Sequence, residues 1–239
     1  PMGEYLDGST GDGILMAVEA GAALRDMDAV IMLPFAGGRL VDYVGGEVWV
    51  NAQGRRFISE GAGFAELCGR VLKEPGARMW AVSDALAPKG ATLPMKLMNG
   101  AVKEAPDLAA LARGIGCSET VLRETLERYN RSVVNGWDED FGIPMRGLPV
   151  ATLPFYYGLE TLSIHYTAGG IAITPQAEVK DAAGRVIPGL YAAGETTGGV
   201  HGALRVGGLG LTDAVVMGDV AGREAAGAAA AAASATTKG

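Results

Sequence analysis

Between Gly189 and Asp213 the chain reads Gly-Leu-Tyr-Ala-Ala-Gly-Glu-Thr-Thr-Gly-Gly-Val-His-Gly-Ala-Leu-Arg-Val-Gly-Gly-Leu-Gly-Leu-Thr-Asp, an apolar run passing into a long glycine-rich bend and then into a helical pattern. Glycines let backbone N–H groups come close to a ligand, and a helix start behind them adds roughly half a unit of positive charge aimed the same way. Such a bend stabilises a group that carries or gains negative charge. A phosphate and a reduced flavin, which develops charge at its N1/C2=O edge, are the two candidates. Glu195, His201 and Arg205 are the ionisable side chains in the bend. His165, in Ile-His-Tyr-Thr-Ala-Gly-Gly, is the second of only two histidines.

Several chemistries are disfavoured by composition. With 20 Lys+Arg against 27 Asp+Glu the formal charge is −7, and no basic cluster makes a local exception, so nucleic-acid binding is not expected. Cys68 and Cys117 are too far apart for a Cys-x-x-Cys site, and two histidines do not make a histidine-rich metal site. Hydrophobic residues at 49% support a folded core. No run of about 18 apolar residues suggests a membrane span, and the Pro-Met-Gly-Glu start lacks a signal-peptide layout. A cytoplasmic location is expected, in a chain that opens as if cut from something longer.

The elements that must position these residues follow from periodicity. A glycine-rich turn at 9–13 leads into an apolar stripe, Ile14, Leu15, Val18, Ala22 and Leu24, at helical spacing. Residues 47–51 alternate, 52–54 supply a turn, and Arg56-Phe57-Ile58 predicts a returning strand; 78–82 predicts another strand. About 104–135 reads as mostly helical, ending near Gly136. After Pro154 short apolar runs broken by glycine predict strands and turns, and 209–226 predicts a closing helix. The Ala-rich stretch 227–239 reads as a low-complexity tail, fraying or disordered.

The bend resembles the C-terminal flavin-binding part of the succinate dehydrogenase and fumarate reductase flavoprotein family, in its soluble branch. Gly189 to Glu195, Thr197 to Gly199, His201-Gly202, Arg205 and Gly207-Gly208 match the pattern Gly-Leu-Tyr-Ala-Ala-Gly-Glu, Thr-Gly-Gly, His-Gly, Arg, Gly-Gly. His165 to Gly170 is similar to the family's His-Tyr-Thr-x-Gly-Gly, and Thr10-Gly11-Asp12-Gly13 to its Thr-Gly-Asp-Gly. Tyr129-Asn130 with Gly136, Asp138, Asp140, Phe141 and Gly142 resembles the end of its cap. The Gly-x-Gly-x-x-Gly nucleotide fingerprint has no counterpart, since Gly61-Ala62-Gly63 and Gly208-Leu209-Gly210 lack the third glycine.

The resemblance implies an α/β chain: an α+β cap, 31–150, inserted in a partial FAD-binding domain, 1–30 and 151–226, with the N-terminal Rossmann part absent. It implies FAD as cofactor, no metal, and hydride transfer at a C–C or C=C bond α,β to a carbonyl or carboxylate. The implied partners are a small unsaturated acid or ketone, and a nucleotide-binding half or partner chain. His165 and Arg205 would hold the substrate oxygen, with Tyr43 or Tyr166 moving the proton. Gly169, Gly170, Gly194, Glu195, Gly207, Gly208, Leu209, Gly210 and Leu211 would face the cofactor, with Gly169 and Gly170 letting the backbone pass near the flavin edge. His201 reads as structural or flavin-neighbouring.

Aligning Gly54 to Glu60 with the family's Gly-x-Arg-Phe-x-Asn-Glu puts Phe64 where fumarate reductases carry a proton-donating arginine. On the same count Leu33, Leu40 and Tyr43 replace other polar substrate contacts, with Arg39 beside them. A dicarboxylate would find half its cage, so the substrate is larger or more apolar than fumarate, or activity is lost. The alternative is a non-catalytic fragment or subunit completing a partner's flavin site.

Overall fold

The computed structural model describes residues 2–3, 8–36, 46–87, 91–202 and 205–236. In chain order the elements are β1 (Met2–Gly3), α1 (Asp12–Glu19), β2 (Leu24–Arg25), β3 (Val30–Ala36), β4 (Val48–Val50), α2 (Phe64–Val71), β5 (Arg78–Ser83), α3 (Leu93–Met98) and β6 (Val102–Ala105). Next come α4 (Leu108–Ile115), α5 (Glu119–Asn135), β7 (Trp137–Asp138), β8 (Ile143–Pro144) and β9 (Phe155–Thr167). Then follow β10 (Gly170–Ala172), β11 (Glu178–Lys180), β12 (Val186–Tyr191), a 3-10 turn (Gly194–Thr196), β13 (Thr197–Gly198) and α6 (Leu209–Thr236). Helices and strands are mixed, and two compact units emerge, 33–163 with 1–2, and 3–32 with 164–239.

In the 33–163 unit, β5 lies between β4 and β9, antiparallel to both, with Val48 opposite Val82 and Arg78 opposite Thr161. The other edge of β9 takes β6, Val102 opposite Gly158. Valines and aromatics fit this half-buried pleat, and Val48, Val50, Trp80, Val82, Phe155 and Tyr157 pack against Leu111, Leu122, Leu126 and Tyr129 of α4 and α5. Helix α4 starts on Asp107, whose side chain accepts from the Ala110 N–H at 2.7 Å, and stops on the left-handed Gly116. Asn130 on α5 clasps the Val150 backbone through two hydrogen bonds, 2.8 and 3.0 Å.

The expected return strand at 56–58 does not form; Val50 and Arg56 make a single bridge. Arg56 is diverted into the interior instead. Its guanidinium, 1% exposed, donates to Glu60 (2.6 and 3.0 Å), Asp138 (2.7 and 3.1 Å) and Asp140 (3.0 Å). It also lies between the rings of Tyr129 and Phe141, 5.0 and 4.8 Å from their centroids. Burial opposes the charged form of Asp138, but the Arg56 hydrogen bonds outweigh it and hold that carboxyl below its ordinary value. Complete burial raises Glu60, and its contacts with Arg56 only partly offset that. Arg56 itself is raised, its carboxylate partners overcoming desolvation.

In the second unit, β10 pairs with β13 in parallel (Ile171 opposite Thr197) and with β2 antiparallel (Gly170 opposite Arg25). A β11–β12 hairpin turns on Asp181, whose side chain accepts from the Ala183 and Arg185 N–H groups. Ala17, Ile171 and Val179 form the local core with Ile14, Ile173 and Ile187. The Ala-rich stretch, read from sequence as fraying helix or disordered, is helical as far as Thr236; alanine has the highest helix propensity and costs no side-chain entropy. No helix among the described residues is long and apolar enough to cross a membrane.

Candidate functional site

Helix α1 opens on Gly11, whose φ of 79° is a left-handed value that glycine adopts without strain. The first-turn N–H groups of a helix have no acceptor within it. Here that start opens onto a cleft of about 800 Å³ lined by Gly8 to Ile14, Ile164 to Thr167, Glu195 and Thr196, all within the second unit. Ser9, Thr10 and the Glu195 carboxylate make its rim polar. Glu195 sits on the 3-10 turn and accepts from the Thr167 N–H at 3.4 Å. Gly194, buried beneath it, faces Ala214 of α6.

Strand alternation divides the next pair. Both border the cleft, but His165 is exposed whereas Tyr166 is 8% exposed and packs with Ile31 and Ala168. The guanidinium of Arg205 lies 4.5 Å over the Tyr166 ring. His201 meets the same ring edge-on, centroids 5.5 Å apart and planes at 83°, and its Nε2 faces Asp213 at 3.7 Å. Among the described residues, the buried Arg205 Nε and His201 Nε2 have no hydrogen-bond partner. Burial raises the Tyr166 phenol above its ordinary value, Glu195 and Asp213 add to this, and Arg205 opposes it. The phenol is therefore a proton-bearing group at neutral pH.

The structure thus groups Arg205 with Tyr166 and His201, and groups His165 with Glu195 and the start of α1. Asp213 was not singled out from sequence; its signal was a carboxylate in an otherwise apolar helix start. Tyr43, Leu40 and Arg39 lie outside the described residues. A different cause emerges for Gly169 and Gly170: a Cβ on Gly169 would stand 2.3 Å from the Asp26 carbonyl oxygen, and one on Gly170 2.2 Å from that of Thr196. Backbone packing therefore demands these two glycines. Gly210 leaves room for the stack, since a Cβ there would lie 3.0 Å from Tyr166. Gly207 and Gly208 face open space.

The family described as the FAD binding domain matches residues 5–211. The chain belongs to that family. This flavoprotein chain is 38% identical over 228 residues to a fumarate reductase (cytochrome) of Shewanella frigidimarina, covering 92% of its own length and 40% of that protein. It is 31% identical to a digoxin reductase of Eggerthella lenta, covering 92% of itself and 45% of that protein. The solved open conformation of a flavocytochrome c3 fumarate reductase superposes with a TM-score of 0.75 at 35% identity, over 95% of this chain and 42% of that one. The chain spans about 40% of the length of the fumarate reductases it matches.

The residues present suit the family's cofactor. A polyol chain needs acceptors and donors along a polar rim, which Ser9, Thr10 and Glu195 supply, and an electron-rich oxygen suits the open N–H groups of α1. The two orphaned buried nitrogens of Arg205 and His201 lie on the same unit.

Proposed function

We propose that the chain is the flavin- and substrate-facing part of an FAD-dependent oxidoreductase acting on a C–C or C=C bond next to a carbonyl or carboxylate, with a substrate larger or more apolar than fumarate. Unit 3–32 with 164–239 is the flavin-facing part, and unit 33–163 is the cap. The observation that carries this reading is Arg205, its guanidinium held over the Tyr166 face with, among the described residues, a single long hydrogen bond of 3.4 Å from Nη1 to the Val206 carbonyl. The Nη end of its planar fork is available to a carboxylate or carbonyl oxygen.

FAD, when bound, supplies hydride exchange at N5. Glu195 and the residues around Thr10 hold its polyol chain, and Gly194 with the Gly207 to Leu211 backbone borders the ring; Gly169 and Gly170 support that wall through their strand contacts. Arg205 fixes the activating oxygen and stabilises charge developing there, and His165 donates to the same group from the cleft rim. Tyr166 carries a proton at neutral pH and, with Tyr43, is the candidate for proton transfer. Phe64, which stands by alignment where fumarate reductases carry a proton-donating arginine, supports a more apolar substrate. The relatives carry substrate names as different as digoxin and fumarate, so their substrates differ widely in size.

The test is turnover of a panel of enoates and enones by the FAD-loaded protein and its Arg205→Ala variant. Loss of one preorganised donor is expected to lower kcat by about 10²–10³ with flavin absorbance retained. Unchanged turnover across the panel removes Arg205 from the site. A colourless chain that turns yellow only when a separate nucleotide-binding chain is added transfers the weight to the subunit reading.

A further inference from the structure

We propose that Asp213 and His201 form a positioning pair that sets the Tyr166 ring as the platform on which the Arg205 guanidinium lies. The inference rests on reading Arg205 as the grip on a substrate oxygen. A gripping arginine has to be oriented without spending the donors it offers to its ligand. Here orientation comes from the aromatic face 4.5 Å below Cζ, while Nε is buried with no acceptor and Nη1 reaches one carbonyl at 3.4 Å.

The ring in turn needs a fixed attitude, and the His201 edge supplies it from the side at 83°. His201 is 10% exposed, its Nε2 has no hydrogen-bond partner, and the Asp213 carboxylate, 7% exposed, stands 3.7 Å from that atom. Asp213 is the one buried residue of α6 among the described residues. A buried carboxylate needs a polar neighbour, and His201 Nε2, 3.7 Å away, stands in that place. Gly210, one turn before Asp213, completes the arrangement by leaving the space that Tyr166 and Arg205 fill. A planar substrate oxygen pair then meets a guanidinium whose plane is set by α6 rather than by its own flexible stem.

The experiment follows the Arg205 Nε–H resonance in ¹⁵N-labelled protein, assigned by its loss in Arg205→Lys. Above a ring face this proton is displaced upfield of exposed arginines. Asp213→Asn, which keeps side-chain volume, and His201→Ala are each expected to return it at least halfway to the exposed position. A purely structural role would lower the unfolding midpoint and leave the resonance in place in the folded protein. An unmoved resonance in folded Asp213→Asn overturns the proposal; should that variant not fold, an unmoved resonance in His201→Ala does the same. Titration with crotonate separates the underlying reading: a wild-type resonance indifferent to crotonate sinks the grip, while the variant shifts still decide the platform.

Discussion

Replacing Arg56 by Met removes the counter-charge of two carboxylates that are themselves buried, Glu60 at 8% and Asp138 at 1% side-chain exposure. Five hydrogen bonds between 2.6 and 3.1 Å disappear, together with stacking on Tyr129 and Phe141. Breaking a buried pair from one side costs about 3–5 kcal/mol. For a chain of this size that lowers the thermal midpoint by roughly 6–20 °C. All three tryptophans, Trp49, Trp80 and Trp137, lie in the affected unit, so tryptophan fluorescence during urea or thermal unfolding reads the transition. The pH dependence has two opposed parts: Glu60, raised by burial, adds stability as pH falls toward its unfolded value, and Asp138 does the reverse. Its folded value lies below the ordinary one, so its stabilisation is fully present above about pH 4 and is lost as pH falls through the folded value. Without Arg56, burial dominates and both carboxyls titrate high, so the variant gains stability as pH falls from 7. The gap between the two proteins is therefore widest near pH 7 and narrows toward pH 4. A gap below about 1 kcal/mol at pH 7, or one that does not change with pH, would refute the reasoning.

Gly170→Ala places a Cβ 2.2 Å from a backbone oxygen and is expected to cost at least about 1–3 kcal/mol in urea unfolding, whereas Gly207→Ala, with nothing within 4 Å, stays within about 0.5 kcal/mol. Equal effects would remove the backbone-packing explanation. Asp107→Ala deletes the cap on Ala110 N–H and lowers stability by about 1 kcal/mol, measured by the same unfolding assay, with Asp107→Asn retaining most of it.

Elements governed by neighbours a few residues apart were legible without coordinates. The turn at Gly11 into α1, the α5 pattern ending at Gly136 and the glycine-rich bend before α6 depend on helix periodicity, capping and backbone freedom, which are local properties. After Pro154 the sequence pointed only to strands and turns in general, and the reach of β9 from Phe155 to Thr167 depends on the partners that flank it. The hairpin expected at 56–58 gave way because Arg56 finds Asp138, 82 positions away, more than a strand partner nearby.

The residue types at the site, an arginine, two histidines and a glutamate among glycines, were set out by sequence alone, because a charged side chain in a glycine-rich bend stands out from its neighbours. Which of them meet was decided by the path of the chain in space. Strand alternation left His165 exposed and buried most of Tyr166, so Arg205 found an aromatic face and His201, and Asp213 entered the group from a helix turn whose burial no local pattern encodes.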